Sequence, residues 1–132
     1  KALREPVPET NDGPVKHVVA DNFEAIVMDP TKDVFVDFYA EKCSHCKQMA
    51  PAWEELAVAM QTNPNLVIAK YDASKNERDD IHVPSFPIMR LYRAGDKETY
   101  IEYEGDRSVK HFQEWLADKL SIKQAKGKDE LQ

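Results

Sequence analysis

Only two of the 132 residues are cysteine, Cys43 and Cys46. Two thiols cannot staple a small disulfide scaffold, so the core has to come from apolar packing, and the close spacing of the pair is what carries information. Basic charge is short as well: 18 Lys and Arg stand against 24 Asp and Glu, a net charge of −6. That balance excludes a general nucleic-acid binder, which would present a basic face. No apolar run approaches the roughly 20 residues that span a bilayer, so membrane insertion is not expected. The start, Lys1-Ala2-Leu3-Arg4-Glu5-Pro6, has neither an initiator Met nor an apolar signal core and reads as the beginning of a processed or excised piece. Internal repeats are absent too. What is present suits one domain, with 42% apolar and 32% charged residues giving a packed core under a well-solvated surface.

Residues 1–14 carry Pro6, Pro8, Gly13 and Pro14 with no apolar period and read as a linker. Residues 122–132 form a charged tail with little to bury. The domain between them, 15–121, alternates strand and helix patterns. Val15–Ala20 reads as a short strand, and Asp21 or Asn22 can cap a helix through Phe23, Ile26 and Val27 that Asp29-Pro30 closes. Val34–Ala40 is a nearly continuous run of β formers, suited to a central strand buried on both faces. From Cys43 to about Asn63, the residues Met49, Trp53, Leu56, Ala57 and Met60 keep helical spacing, and Pro51 should kink that helix. Leu66–Tyr71 reads as a second buried strand and Ser74 to about Ile81 as a short capped helix. Met89–Tyr92 and Tyr100–Tyr103 flank Arg93-Ala94-Gly95-Asp96 as a hairpin. Val109, Phe112, Trp115, Leu116 and Leu120 mark a last amphipathic helix opened by Ser108, with Trp53 and Trp115 as core residues. The order βαβαβαββα predicts an α/β fold with a central mixed sheet and helices on both faces.

The segment Cys43-Ser44-His45-Cys46 falls where the central strand ends and a helix begins. A helix start offers unpaired N–H groups and roughly half a positive charge, which favour an anion. A thiolate at Cys43 is therefore expected below the free-thiol value of about 8.5. Cys46, one turn further in, is close enough to close a disulfide and more shielded, which gives an attacking and a resolving thiol. His45 can stabilise the thiolate and so make the disulfide more oxidising. Other readings of the pair compete. Half a zinc site lacks a second Cys pair, and His17, His82 and His111 are isolated. Covalent haem would need His where Lys47 stands, and a purely structural disulfide closing so small a loop would constrain little. The strand-to-helix junction favours redox chemistry.

The stretch Phe38-Tyr39-Ala40-Glu41-Lys42-Cys43-Ser44-His45-Cys46-Lys47-Gln48-Met49-Ala50-Pro51 resembles the active-site segment of the thioredoxin superfamily, and within it the catalytic domains of the protein disulfide isomerases. The likeness runs from about Val15 to Ser121 and includes Ala69-Lys70-Tyr71-Asp72-Ala73, Val83-Pro84-Ser85-Phe86-Pro87 and Tyr103-Glu104-Gly105-Asp106-Arg107. The linker ahead and the lysine-rich tail behind look most like the last catalytic domain of that family. Glu41, Lys42 and Ser44 replace the family's usual Pro, Trp and Gly, and Ile88 replaces its Thr. Losing the Trp removes a large apolar rim residue; Lys42 adds a cation beside Cys43.

The resemblance implies a thioredoxin-like fold and thiol–disulfide exchange on protein substrates, with Cys43 as nucleophile, Cys46 resolving and His45 stabilising the thiolate. It implies that Asp37, a carboxylate inside an apolar strand, takes and returns the Cys46 proton; otherwise Asp37 faces a polar gap or a strand end. Lys70 would be the partner of Asp37 rather than a solvated edge lysine, and Arg107 would modulate Cys46 rather than serve as an ordinary surface charge. Pro87 matches the family's cis-proline and would expose the Phe86 backbone to a substrate strand, with Ser44 beside it. No metal or organic cofactor is implied. Expected partners are unfolded or misfolded proteins with thiols or disulfides, and glutathione or an upstream thiol oxidase. The expected location is the endoplasmic reticulum lumen. Lys128-Asp129-Glu130-Leu131 spells that compartment's retrieval signal, but Gln132 follows it, so either Gln132 is an added residue or the match is chance. Two alternatives remain open: a client-binding module whose redox motif has become slow, and a thioredoxin-type reductase.

Overall fold

Strands and helices alternate in a computed structural model that describes residues 2–121; Lys1 and residues 122–132, with the Lys128–Leu131 tetrapeptide, lie outside the described residues. The strands are β1 (Val15–Val18), β2 (Asp33–Tyr39), β3 (Leu66–Asp72), β4 (Ile88–Arg93) and β5 (Asp96–Glu102). The helices are α1 (Phe23–Val27), entered through a 3-10 turn at Ala20–Asn22, α2 (Ser44–Met60) and α3 (Val109–Lys119). The sheet order is β1-β3-β2-β4-β5, with β1, β3 and β2 parallel and β4 and β5 antiparallel. Among the described residues no helix is long and apolar enough to cross a membrane.

β2 is central because its side chains can be buried on both faces. Alternation sends Phe35 to one side, where it packs with Met49, Trp53 and Leu56 of α2 and Phe112 and Leu116 of α3. Val34, Val36 and Phe38 go to the other side and join Phe23 and Val27 of α1 with Ala69 and Tyr71 of β3. The sheet thus separates two cores, each roofed by helix. Trp53 locks α2 onto β3 by donating its indole N–H to the Ala69 carbonyl at 2.9 Å. α2 runs through Pro51 to Met60.

Three expectations change. Asn22 takes the N-cap position of α1 but makes no side-chain capping bond there: β1 stops at Val18, and the Asn22 Oδ1 instead accepts the Val19 N–H at 2.7 Å within the 3-10 turn. β5 starts at Asp96, well before Tyr100, so the hairpin connection shrinks to Ala94-Gly95, with Gly95 at φ 78. The helix expected over Ser74–Ile81 is absent. Asp72 and Ser74 close a tight turn instead: Asp72 Oδ1 accepts the Ser74 N–H at 2.9 Å and its hydroxyl at 2.6 Å. Asn76 is buried, and its Oδ1 accepts the N–H groups of Glu5 (3.1 Å) and Ala20 (2.9 Å) while its Nδ2 donates to Glu5 Oε1 and the Asp72 carbonyl. Glu77 N–H donates to the Leu3 carbonyl at 2.8 Å. Groups that a helix would have paired internally are spent on holding residues 3–5 across this loop.

Two polar side chains finish the edges. Buried Asp33 accepts the N–H groups of Ala94 (2.7 Å) and Ser121 (2.8 Å) and the Ser121 hydroxyl (2.6 Å), which fastens the hairpin turn and the exit of α3 to the start of β2. On the open side of β1, Asn11 Oδ1 accepts the His17 N–H at 2.8 Å and Asn11 Nδ2 donates to the His17 carbonyl at 3.0 Å.

Candidate active site

The chain leaves β2 at Tyr39, turns with the Cys43 N–H on the Ala40 carbonyl (3.1 Å), and enters α2 with Cys43 at the N-cap. The Cys43 sulfur fills the place that a Ser or Asp oxygen usually takes: Sγ accepts the Cys46 N–H at 3.1 Å. The helix start thereby points a backbone donor and its positive end at this one atom. Cys43 and Cys46 form a disulfide with Cα atoms 5.2 Å apart, inside the usual span for such a bridge. Cys43 is partly exposed whereas Cys46 is 5% exposed, so a second sulfur can approach only Cys43. The Phe86 carbonyl oxygen stands 3.7 Å from Cys43 Sγ. The Phe86–Pro87 bond is cis, Pro87 is buried and Phe86 is partly exposed. Ser44 and His45 are exposed on the first turn of α2. Glu41 is tied sideways: its carboxylate lies 3.4 Å from Lys75 Nζ and its N–H donates to Ser74 Oγ at 3.3 Å.

Asp37 sits beneath this end of the sheet and is 5% exposed. Alternation places it on the same face as Phe35, the α2 side, and β2–β3 register sets it against Lys70, which alternates away from Ala69 to that same side. Burial pushes the Asp37 carboxyl up to about 7, against the pull of the Lys70 and Arg107 charges. Its Oδ1 has no hydrogen-bond partner among the described residues. Arg107 is exposed on the connection between β5 and α3, where Tyr103 donates its hydroxyl to the Asp106 carbonyl and Ser108 caps α3 by accepting the His111 N–H at 3.3 Å. Cys43, Cys46, Phe86 and Pro87 thus lie together, buried Asp37 stands opposite half-buried Lys70 in the β2–β3 register, and Lys70 and Arg107 reach Asp37 through their charges.

Sequence reasoning passed over the support of the Phe86 loop. Arg90 in β4 is 4% exposed; it donates to the His82 carbonyl at 2.8 Å, pairs with Glu102 at 3.3 Å and stacks under Tyr100 at 4.3 Å. Its signal was the same as that of Asp37, a charge inside an apolar run. Among the described residues no cluster of three or more His, Cys, Asp or Glu could hold a metal ion.

Known proteins place this arrangement. Protein disulfide-isomerase 1 of Caenorhabditis elegans is 52% identical over 103 residues, which covers 78% of this chain and 21% of that protein. Protein disulfide-isomerase A4 of Mus musculus is 42% identical over 130 residues, covering 96% of this chain and 20% of that protein. The chain spans about a fifth of the length of these curated relatives. The solution structure of the first thioredoxin domain of mouse Protein disulfide-isomerase A4 matches with a TM-score of 0.68 at 26% identity, covering 86% of this chain and 79% of that one. The Trx4 domain of ERdj5 matches with a TM-score of 0.69 over 83% of this chain and 97% of that one; at 22% identity it speaks for the fold alone. Relatives of this kind, together with the Cys43–Cys46 disulfide, mark a thiol–disulfide oxidoreductase domain. A family profile described as Thioredoxin matches residues 14–118, from the start of β1 almost to the end of α3, and the chain belongs to that family.

Proposed function

We propose that this domain exchanges disulfides with protein clients through a mixed disulfide on Cys43, in the manner of the disulfide isomerases it resembles. The observation that carries the reading is the half-open pair: Cys43 at the helix cap and partly exposed, Cys46 behind it and buried. In the reduced state the Cys43 thiolate attacks a client disulfide. A Cys43–client S–S bond forms, the client S–S bond breaks, and one client sulfur leaves as a thiolate. The Cys46 thiolate then attacks the Cys43 sulfur, closes Cys43–Cys46 and releases the second client thiol. Two electrons pass from the domain to the client. The reverse sequence oxidises a client dithiol and leaves Cys43 and Cys46 reduced; glutathione disulfide, reduced to two glutathione thiols, or an upstream thiol oxidase would accept those electrons. Isomerisation needs only the first step and its reversal at another client sulfur, with no net electron transfer.

Cys46 must lose its proton in a place closed to bulk water. Asp37, near neutrality in its affinity for protons, can take it, with Lys70 balancing the resulting carboxylate and Arg107 favouring the Cys46 thiolate. His45 stabilises the Cys43 thiolate. Phe86, Pro87 and Ser44 border the place where the client sulfur docks, and the Phe86 backbone is available to pair with a client strand. The sulfurs carry the chemistry without a cofactor. Unfolded or misfolded proteins are the substrate class, and the endoplasmic reticulum lumen is the compartment that fits disulfide-making chemistry.

The test is turnover of a scrambled-disulfide protein by the 132-residue chain, alongside a Cys43→Ser, Cys46→Ser variant. Turnover by the wild type and none by the variant is expected. Client binding without turnover in both would replace this reading with a binding module. Alkylation of the reduced chain at mildly acidic pH should mark Cys43 first; equal or reversed labelling would overturn the division of roles between the two thiols.

A further inference from the structure

Arg90 is the one buried cation among the described residues, at 4% exposure. It stands opposite Val36 of β2 and Glu102 of β5, which puts its side chain on the α1 face of the sheet with Val36 and Phe38. There the guanidinium lies against two rings, 5.4 Å from the centre of Phe38 and 4.3 Å from that of Tyr100. It spends its donors in two directions: Nε meets the Glu102 carboxylate at 3.3 Å, and Nη2 donates to the His82 carbonyl at 2.8 Å. Glu102 is exposed, so the ion pair could have formed at the surface and gives no reason to bury an arginine. The bond to His82 gives one.

Residues 82–87 belong to neither helix nor strand. Pro84 and Pro87 have no N–H, and among the described residues His82, Val83, Ser85 and Phe86 donate no backbone hydrogen bond. Ile81 and Val83 pack against the core on the α1 side, and β4 takes up the chain again at Ile88. Between these ends the Arg90 bond to His82 is the polar tie from loop to sheet. The same loop carries the Phe86 carbonyl, whose oxygen stands 3.7 Å from Cys43 Sγ. A carbonyl oxygen is the negative end of a dipole. Once the disulfide is reduced, it can accept the Cys43 S–H, and it raises the energy of a thiolate in the same place. The helix start and the Cys46 N–H act on that sulfur in the opposite sense.

Resting on the exchange reading above, we propose that Arg90 is a positioning residue of the site: its bond to the His82 carbonyl holds the 82–87 loop so that the Phe86 carbonyl faces Cys43 and restrains its ionisation. Arg90 acts through the loop and not on the sulfur. The sign of the effect separates the two. Taking away a cation would by itself disfavour the thiolate and raise the pH at which Cys43 ionises, whereas releasing the carbonyl lowers that pH. A less restrained thiolate also stabilises the reduced pair and so makes the disulfide more oxidising.

The experiment compares the reduced 132-residue chain with Arg90→Met, Arg90→Lys and Glu102→Ala. Iodoacetamide is the probe: its adduct at Cys43 is followed by mass against time and pH, and thermal melting shows which variants fold. Met fills much of the arginine's volume, and His82 is exposed, so its carbonyl can turn to water and the fold should survive. Lys keeps the buried charge but cannot serve Glu102 and His82 from one planar fork, which keeps the test open if the Met variant does not fold. The ionisable groups around the sulfur are the same in every variant: Glu41, Lys42 and His45 beside it, Asp37 and Lys70 from the strands, and Arg107 from the connection before α3. In Arg90→Met the midpoint of Cys43 labelling should fall by about half a pH unit, roughly three-fold more thiolate at a given pH below it. Arg90→Lys should lower it by less. Glu102→Ala, which removes the ion pair and leaves the His82 bond, should not move it. A midpoint that stays or rises in Arg90→Met, or in Arg90→Lys if the former does not fold, overturns the proposal and leaves the exchange reading standing; so does an equal fall in Glu102→Ala. Exchange with glutathione disulfide is measured alongside. If the wild type does not react with it, the exchange reading fails and the role of Arg90 in it falls too, whatever the midpoints do.

Discussion

Cys43 is the residue on which the helix start, the Cys46 N–H and the Phe86 carbonyl converge. Among its neighbours, Glu41 is drawn off by Lys75, and Ser44 offers at most one weak hydrogen bond to sulfur. On the proposed reading His45, within the motif, is the neighbour that lowers the free energy of the Cys43 thiolate when it is cationic. His45→Pro should therefore lower the reduction potential by more than 30 mV, which is about 1.4 kcal/mol for this two-electron couple, while Ser44→Gly and Lys42→Trp shift it by less. Equilibration against a glutathione buffer measures all three, and a larger shift in Ser44→Gly would make the serine the tuning residue. Asp37 gives a second prediction. Its affinity for protons rises from an ordinary 3.8 to about 7 on folding because burial opposes the charge. Between those values the folded state holds a proton that the unfolded chain has lost, so this residue's contribution to stability falls as pH rises from about 4 through about 7, by on the order of a few kcal/mol. Asp37→Asn, which cannot ionise, should gain on the wild type across that window in urea unfolding. Closure of the mixed disulfide should slow in the same variant and lose its titration near neutrality. Parallel stability curves for the two proteins would show that the carboxyl is not desolvated.

At the scale of elements, the loop after β3 replaces an expected helix with a knot of polar side chains centred on Asn76. Asn76→Ala would strip partners from the N–H groups of Glu5 and Ala20 together. A loss of about 2–4 kcal/mol is expected, with protease cleavage moving to residues near Leu3–Glu5; unfolding midpoints and mass-mapped cleavage check it. The same loop shows where sequence reasoning reaches its limit. β2, α2 and α3 were legible because burial on both faces or on one stripe writes itself into the order of apolar residues. Asp72 and Ser74 were not, since the same side chains can cap a helix or close a turn, and the choice rests on the distant Leu3, Glu5 and Ala20. The first half of β5 was hidden for another reason: it is an edge strand whose Asp96, Glu98 and Thr99 face solvent. In the site, the cysteine pair and Asp37 could be read locally, the one from spacing and the other from a charge in an apolar run. That Phe86 meets Cys43 across 43 positions of chain could come only from the fold, or from likeness to a family that has it.

The whole molecule puts its chemistry at one end of the sheet, where β2 and β3 finish and Ala73 N–H bonds the Tyr39 carbonyl at 2.8 Å. Two cores grip the sheet from opposite sides, so this end can carry loops and a half-open disulfide without loosening the packed interior. The N-terminal segment crosses the same end at Asn76 and Glu77. The lateral edges are the opposite case, since nothing chemical happens there and the need is to stay unpaired. Along β5, Lys97, Glu98 and Glu102 discourage another strand. β1 has no such row of charge; there Asn11 presents its amide to both backbone groups of His17, as an opposing strand residue would. If the domain exchanges disulfides with unfolded clients as proposed, this one side chain separates capturing a client's sulfur from being captured by its backbone. Asn11→Ala should leave the chain monomeric when dilute but self-associating at high concentration and quick to co-precipitate with an unfolding client, which sedimentation and light scattering would reveal.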